Sequence, residues 1–201
     1  MARKKSAPTN PTDHCRSKIL DDKMISIDPS SGKSGVAGWA IFDGGYLESY
    51  GTMTIPYSAS SYKRFQSIRK KIQDDYSDDF KVLTIELLKG RSRSYNVKPV
   101  LKQASAVIAA SLEWEDCVLI TPMSWQAIAK RIGGWIKRDD IDAVYQGYAV
   151  IALANGYKSA GWKKEAQIEF LKELAETYNW KRSFDDSDTH LEKGSKKQVG
   201  N

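Results

Sequence analysis

The apolar residues of this chain keep two rhythms, and the places where the rhythm changes divide it into elements. MISI, residues 24–27, is a compact apolar run that predicts a first strand ending at Asp28. VAGWAIFD and YLESYGTMTI predict two more strands, joined through Gly44 and Gly45, a strong hairpin signal. Phe65, Ile68, Ile72 and Tyr76 then recur at helical spacing. KVLTIELL is a β-branched apolar run that predicts a buried strand with Glu86 near its end. Leu101, Ala104, Ile108 and Leu112 mark a further helix, and CVLIT a fifth strand stopped by Pro122. Ser124 is placed to cap a short helix, WQAIAKRI, which Gly133 and Gly134 end. From Ala143 to Ala154 the chain is almost wholly apolar, interrupted by Gln146 and Gly147, and predicts a helix buried on most sides. Lys163 to Tyr178 is plainly amphipathic.

Three strands in meander followed by alternating helices and strands predict an α/β fold: a five-stranded mixed sheet with helices on both faces. That order is similar to the order of the ribonuclease H-like fold. Residues 1–22 are polar, basic and broken by Pro8 and Pro11, and read as a flexible N-terminal arm. Residues 23–180, including a C-terminal helix over 162–178, read as one domain, and 181–201 as a polar, disordered tail.

Composition narrows the chemistry. A net charge of +6 leans toward a polyanionic partner. Only two cysteines are present, Cys15 and Cys117, too few for a disulfide framework, which fits a reducing compartment and a cytoplasmic location. His14 and His190 both sit in polar ends, which argues against a histidine-based metal site or triad. No apolar run approaches a membrane span, and none follows the basic N-terminus as a signal peptide requires. The GKS at 32–34 mimics the end of a phosphate-binding loop. Yet the glycine that motif needs five positions earlier is Ile27, and a strand follows where a helix should. No small-molecule cofactor is expected.

The carboxylates remain. Asp28 ends the first strand and Glu86 the fourth, so neighbouring strands would bring both to one sheet edge. Asp139 and Asp142 open the apolar helix three residues apart, on one face. Each has a plain reading: Asp28 before Pro29 starts a turn, and the aspartates favour a helix dipole. Glu86 inside LTIELL is harder to dismiss, because an acid there is costly to bury without a partner. Four converging carboxylates repel one another unless cations occupy the cluster. Mg²⁺ prefers such oxygen ligands, and two ions about 4 Å apart clamp the attacking and leaving oxygens of a phosphodiester.

ISIDPSSGKSGVAGWAIF resembles the opening of RuvC-type Holliday junction resolvases: an apolar strand, Asp-Pro, a small polar loop, a glycine and a second strand. TIELL resembles their second acidic strand, 58 positions after Asp28, and DDIDA their final motif. The resemblance covers roughly residues 24–155 and is similar to stand-alone bacteriophage versions. It implies a Mg²⁺-dependent, structure-selective endonuclease of the ribonuclease H-like superfamily. Asp28, Glu86, Asp139 and Asp142 would be its catalytic metal ligands, holding two Mg²⁺ ions or Mn²⁺ in their place. FDDSDTHLEKG offers an alternative last pair, Asp185 and Asp188, but HLEKGSKKQVGN after it cannot pack a helix on a sheet. The family places an aromatic three residues after the strand glutamate; this chain has Lys89 there, with Tyr95 as a substitute.

Lys89, Arg91, Arg93, Lys98 and Lys102 follow Glu86 with no acid among them. Lys130, Arg131, Lys137 and Arg138 lead into Asp139. Beside an acidic metal site these runs favour DNA phosphates over a small substrate. A four-way junction has approximate two-fold symmetry, so branched DNA as the partner implies a homodimer. The helix over 97–112, with Ala104, Ala106, Ala109 and Ala110, is the expected interface. Two other functions compete: a ribonuclease H-like module that binds DNA without cutting, and an actin-like kinase or ATPase, for which the chain is too short.

Overall fold

The computed structural model describes residues 15–29, 36–54, 80–86 and 116–184, with helical backbone also at Lys63, Gln66, Ser67, Lys70, Lys71 and Asp74. Five strands form one sheet: β1 (Lys23–Asp28), β2 (Val36–Asp43), β3 (Tyr46–Thr54), β4 (Phe80–Glu86) and β5 (Asp116–Ile120). Their order is β3-β2-β1-β4-β5. β2 runs antiparallel to both β1 and β3, while β1, β4 and β5 are parallel. This is the mixed sheet that the alternation of elements predicts, and its strand order and directions are ribonuclease H-like. Gly44 and Gly45 both take positive φ, 55° and 86°, in the two-residue turn between β2 and β3. The described positions between residues 63 and 74 are helical and polar, while Phe65, Ile68, Ile72 and Tyr76, which set the predicted helical spacing, lie outside the described residues.

Four helices are described with both of their ends: α1 (Arg16–Asp21), α2 (Pro122–Ile132), α3 (Asp139–Ala154) and α4 (Lys164–Thr177). α3 is the centre of the core. Almost all of its residues from Asp140 to Ala154 are buried, as its lack of a polar face requires. It lies on the sheet face formed by Met24, Ala40, Phe42, Val82, Val118 and Ile120. Ile25, Ile27, Trp39, Ile41, Leu83 and Ile85 alternate to the other face and are buried as well. Along β2 the residues facing α3 shrink from Phe42 through Ala40 to Gly38. The helix therefore comes closest to the sheet at its own N-terminus.

Three boundaries differ from the sequence expectations. The arm was expected to run to Asp22, but Cys15 is buried and opens α1, whose Ile19 is fully enclosed. Two apolar residues four apart give this short helix one face for the core. The cap of α2 is Thr121 rather than Ser124: its Oγ1 accepts from the Ser124 backbone N–H at 3.3 Å, with Pro122 in the first turn. The tail was expected from residue 181, yet Lys181–Phe184 pack on the domain. Phe184 meets Tyr50 edge-on at 5.5 Å, and a Cβ on Gly134 would overlap the Arg182 carbonyl. Among the described residues no helix is long and apolar enough to cross a membrane.

Candidate active site

β1 and β4 are parallel neighbours whose pairing ends with Ile27 opposite Ile85. Asp28 and Glu86 are the next residues on each, so the two acids leave the sheet side by side at its carboxyl edge. Such edges are where ligands settle on open α/β sheets. Across β1, Asp28 is paired with Gly38 of β2. A side chain on Gly38 would collide with the carbonyl of Asp139. The bare glycine thus seats the first turn of α3 against the sheet next to Asp28. One turn further on, Gln146 Nε2 donates to the Ile27 carbonyl at 3.1 Å and ties α3 to β1 directly before Asp28.

These contacts gather Asp28, Glu86, Asp139 and Asp142 from three segments at one end of the sheet. Asp142 is only 8% exposed. Burial pushes its carboxyl up to about 6, and the charges of Asp139 and Asp140 add to this. A hydrogen bond from Trp135 and the charge of Lys137 act the other way. Burial also raises Glu86. A hydrogen bond from Trp125 opposes that rise, while the charge of Asp142 adds to it. Glu86 thus feels the charge of Asp142 although the two belong to different elements. The two donors are indoles: Trp125 Nε1 to Glu86 Oε2 at 2.8 Å, and Trp135 Nε1 to Asp142 Oδ1 at 2.7 Å. Their rings meet edge to face at 5.6 Å.

Asp140 plays a different part. It is buried and takes a bidentate contact from Arg138, at 2.8 Å from Nε and 3.1 Å from Nη2, and accepts from the Ile141 backbone N–H. The guanidinium of Arg138, expected on phosphate, is thereby engaged inside the fold. Arg131 donates to the Ala127 carbonyl within its own helix, whereas Lys130 and Lys137 are exposed. Lys89, Arg91, Arg93, Tyr95, Lys98 and Lys102 lie outside the described residues, as do Asp185, Asp188 and the whole expected interface helix over 97–112.

No protein-family model matches the chain, and no curated protein matches its sequence. Among solved structures it is similar to RuvC of Thermus thermophilus. The complex with a Holliday junction substrate aligns at 13% identity with a TM-score of 0.46, covering 66% of this chain and 93% of that one. A second RuvC structure from the same organism aligns at 13% identity with a TM-score of 0.44, covering 66% and 96%.

The donor set suits a hard divalent cation, since every acid offers oxygen, Glu86 is burdened by the charge of Asp142, and Asp142 by that of Asp139. Ser26 Oγ and Gln146 Oε1, buried beneath the acids, have no hydrogen-bond partner among the described residues. That leaves polar capacity under the cluster, as a water or ion site requires. Among the described residues no three His, Cys, Asp or Glu side chains already close into a metal cage. Mg²⁺ does not demand one: it is usually held by one or two carboxylates plus waters and substrate phosphates.

Sequence reasoning did not reach Trp125, Trp135, Gly38 or Asp140. Gly38 had a signal, because a glycine inside a strand pattern marks close backbone approach. Gln146 had one too, as the polar break in an apolar helix. The tryptophans had none, since an indole hydrogen bond between elements leaves no period in the chain.

Proposed function

We propose that this chain is a divalent-metal-dependent endonuclease that cuts branched DNA, acting as a homodimer on four-way junctions. One observation carries the reading: Asp28 and Glu86 end adjacent parallel strands, and the Gly38 contact brings the Asp139–Asp142 turn to them. The resemblance of these same three motifs to those of RuvC-type resolvases supports it. Asp28, Glu86, Asp139 and Asp142 are the residues that would hold two Mg²⁺ ions, or Mn²⁺. When bound, these would supply an activated water and stabilise the leaving oxygen of the phosphodiester. The chain's own part is to keep the four carboxylates oriented and partly shielded from water, with Lys137, whose charge acts on Asp142, exposed for phosphates.

Nicking of a synthetic four-way junction in Mg²⁺ and its loss in EDTA test the activity. Asp28→Asn keeps the shape and removes a charged ligand, so cleavage should disappear while junction binding stays equal or tightens. Cleavage within tenfold of wild type would reject Asp28 as a ligand. Junction binding by the wild-type protein without any Mg²⁺-dependent nicking would favour a non-catalytic DNA-binding module.

A further inference from the structure

We propose that Trp125 and Trp135 form a paired indole clamp that positions Glu86 and Asp142 to bind a divalent cation. This rests on the reading of those acids as metal ligands. Each indole gives one N–H to one carboxylate oxygen, at 2.8 and 2.7 Å. A single N–H bond fixes the orientation of a carboxylate without using both of its oxygens. The donors are well matched to that task. Indole has a donor and no acceptor, so it cannot turn and re-pair when the carboxylate moves. It is also neutral, so it orients an anion without competing with a cation for its charge. Lysine or arginine in the same place would neutralise the cluster and weaken cation binding.

The surrounding structure holds both rings. Trp125 is 1% exposed on α2, whose start is fixed by the Thr121 cap. Trp135 follows the Gly133–Gly134 turn, and Tyr145 of α3 donates to the Gly133 carbonyl at 2.6 Å. The loop carrying Trp135 is thereby tied to the helix carrying Asp142. The edge-to-face contact at 5.6 Å joins the two rings, so the separation of Glu86 and Asp142 is set through a neutral aromatic bridge. Partners of metal ligands in this outer position typically contribute 10–100-fold to metal affinity or activity.

The test needs no nuclease activity. In the ¹⁵N–¹H spectrum of the full chain, the six tryptophans give up to six indole signals. Trp125→Phe and Trp135→Phe assign two of them. Saturating Mg²⁺ should move those two signals more than the other four. Trp135→Phe keeps a ring against Trp125 and removes the donor. Its Mn²⁺ affinity by calorimetry should fall about tenfold or more, with the unfolding midpoint close to wild type. If Trp125→Phe fails to fold, the wild-type spectrum and Trp135→Phe still decide. Unmoved signals at saturating Mg²⁺, or wild-type Mn²⁺ affinity in Trp135→Phe, would overturn the clamp. A folded wild-type chain that binds neither cation would instead overturn the reading of the acids themselves, and the clamp with it.

Discussion

Gly38 of β2 lies against the carbonyl of Asp139, and no side chain of any size fits between them. Asp28 is the strand partner of that glycine, so one missing Cβ sets the distance from β1 to the first turn of α3. Because backbone stands on both sides, Gly38→Ala can only be relieved by lifting the helix. Overpacking of this kind costs about 1–3 kcal/mol. A displacement near 1 Å at a catalytic group can cost about 10²-fold in rate. Gly38→Ala should therefore lose more cleavage and Mn²⁺ affinity than its stability loss explains. Denaturant titration beside calorimetry separates the two, and wild-type Mn²⁺ affinity in a folded Gly38→Ala protein would contradict the account.

Asp142 gives a pH prediction. Its carboxyl ionises at about 6 in the folded chain, against 3.8 ordinarily. Between those values the folded state holds a proton that the unfolded state has released. Stability of the metal-free protein therefore falls as pH rises through this window. Asp142→Asn keeps an oxygen for the Trp135 indole and never ionises. In EDTA the variant should match wild type near pH 4. By pH 7.5 it should be the more stable by up to about 3 kcal/mol. Divalent cation should raise wild-type stability and leave the variant nearly unmoved. A stability difference that does not change with pH would show that Asp142 is not strained by its own charge.

A chain ending at Phe184 should fold and cut like the full chain. One ending at Trp180 should be less stable, because Phe184 packs on Tyr50 and Tyr145, and the Lys181 carbonyl accepts from Tyr148 Oη at 3.3 Å. Edge-on aromatic pairs are worth about 0.5–1.5 kcal/mol each beyond the area they bury. Should the protein ending at Phe184 fold and bind junctions but fail to cut, Asp185 and Asp188 would replace Asp139 and Asp142 as the closing ligands.

The sheet and α3 were legible because burial on one or both faces imposes a period, and the period survives in the sequence. Asp28 and Glu86 could be placed at one edge for the same reason: each interrupts an apolar run at its carboxyl end. The supports of those acids were not legible. Trp125 and Trp135 act through single N–H groups across elements, and nothing in WQAIAKRIGGWIKR distinguishes them from core aromatics. Asp140 looked like one more acid of a helix start, yet it is the one turned inward, onto Arg138. Cys15 and Ile19 were hidden by the polar residues around them, since one apolar pair four apart is too little to register as a helix.

Lys137 and Arg138 are adjacent and equally basic, but their surroundings assign them opposite roles. Lys137 is exposed, two residues before Asp139. Arg138 holds the buried Asp140 through two hydrogen bonds. Lys137→Ala should leave stability within about 0.5 kcal/mol of wild type. If it contacts a phosphate of duplex DNA, the slope of log K against log salt should lessen by about 0.9. Arg138→Ala leaves a carboxylate buried without its partner, a loss of about 3–5 kcal/mol in comparable pairs. Arg138→Lys should rescue little, because an ammonium cannot reproduce the planar bidentate contact. Salt titrations of junction binding, run beside denaturant unfolding, distinguish the two residues directly. A flattened salt slope in a fully stable Arg138→Ala protein would mean that the guanidinium reaches DNA after all.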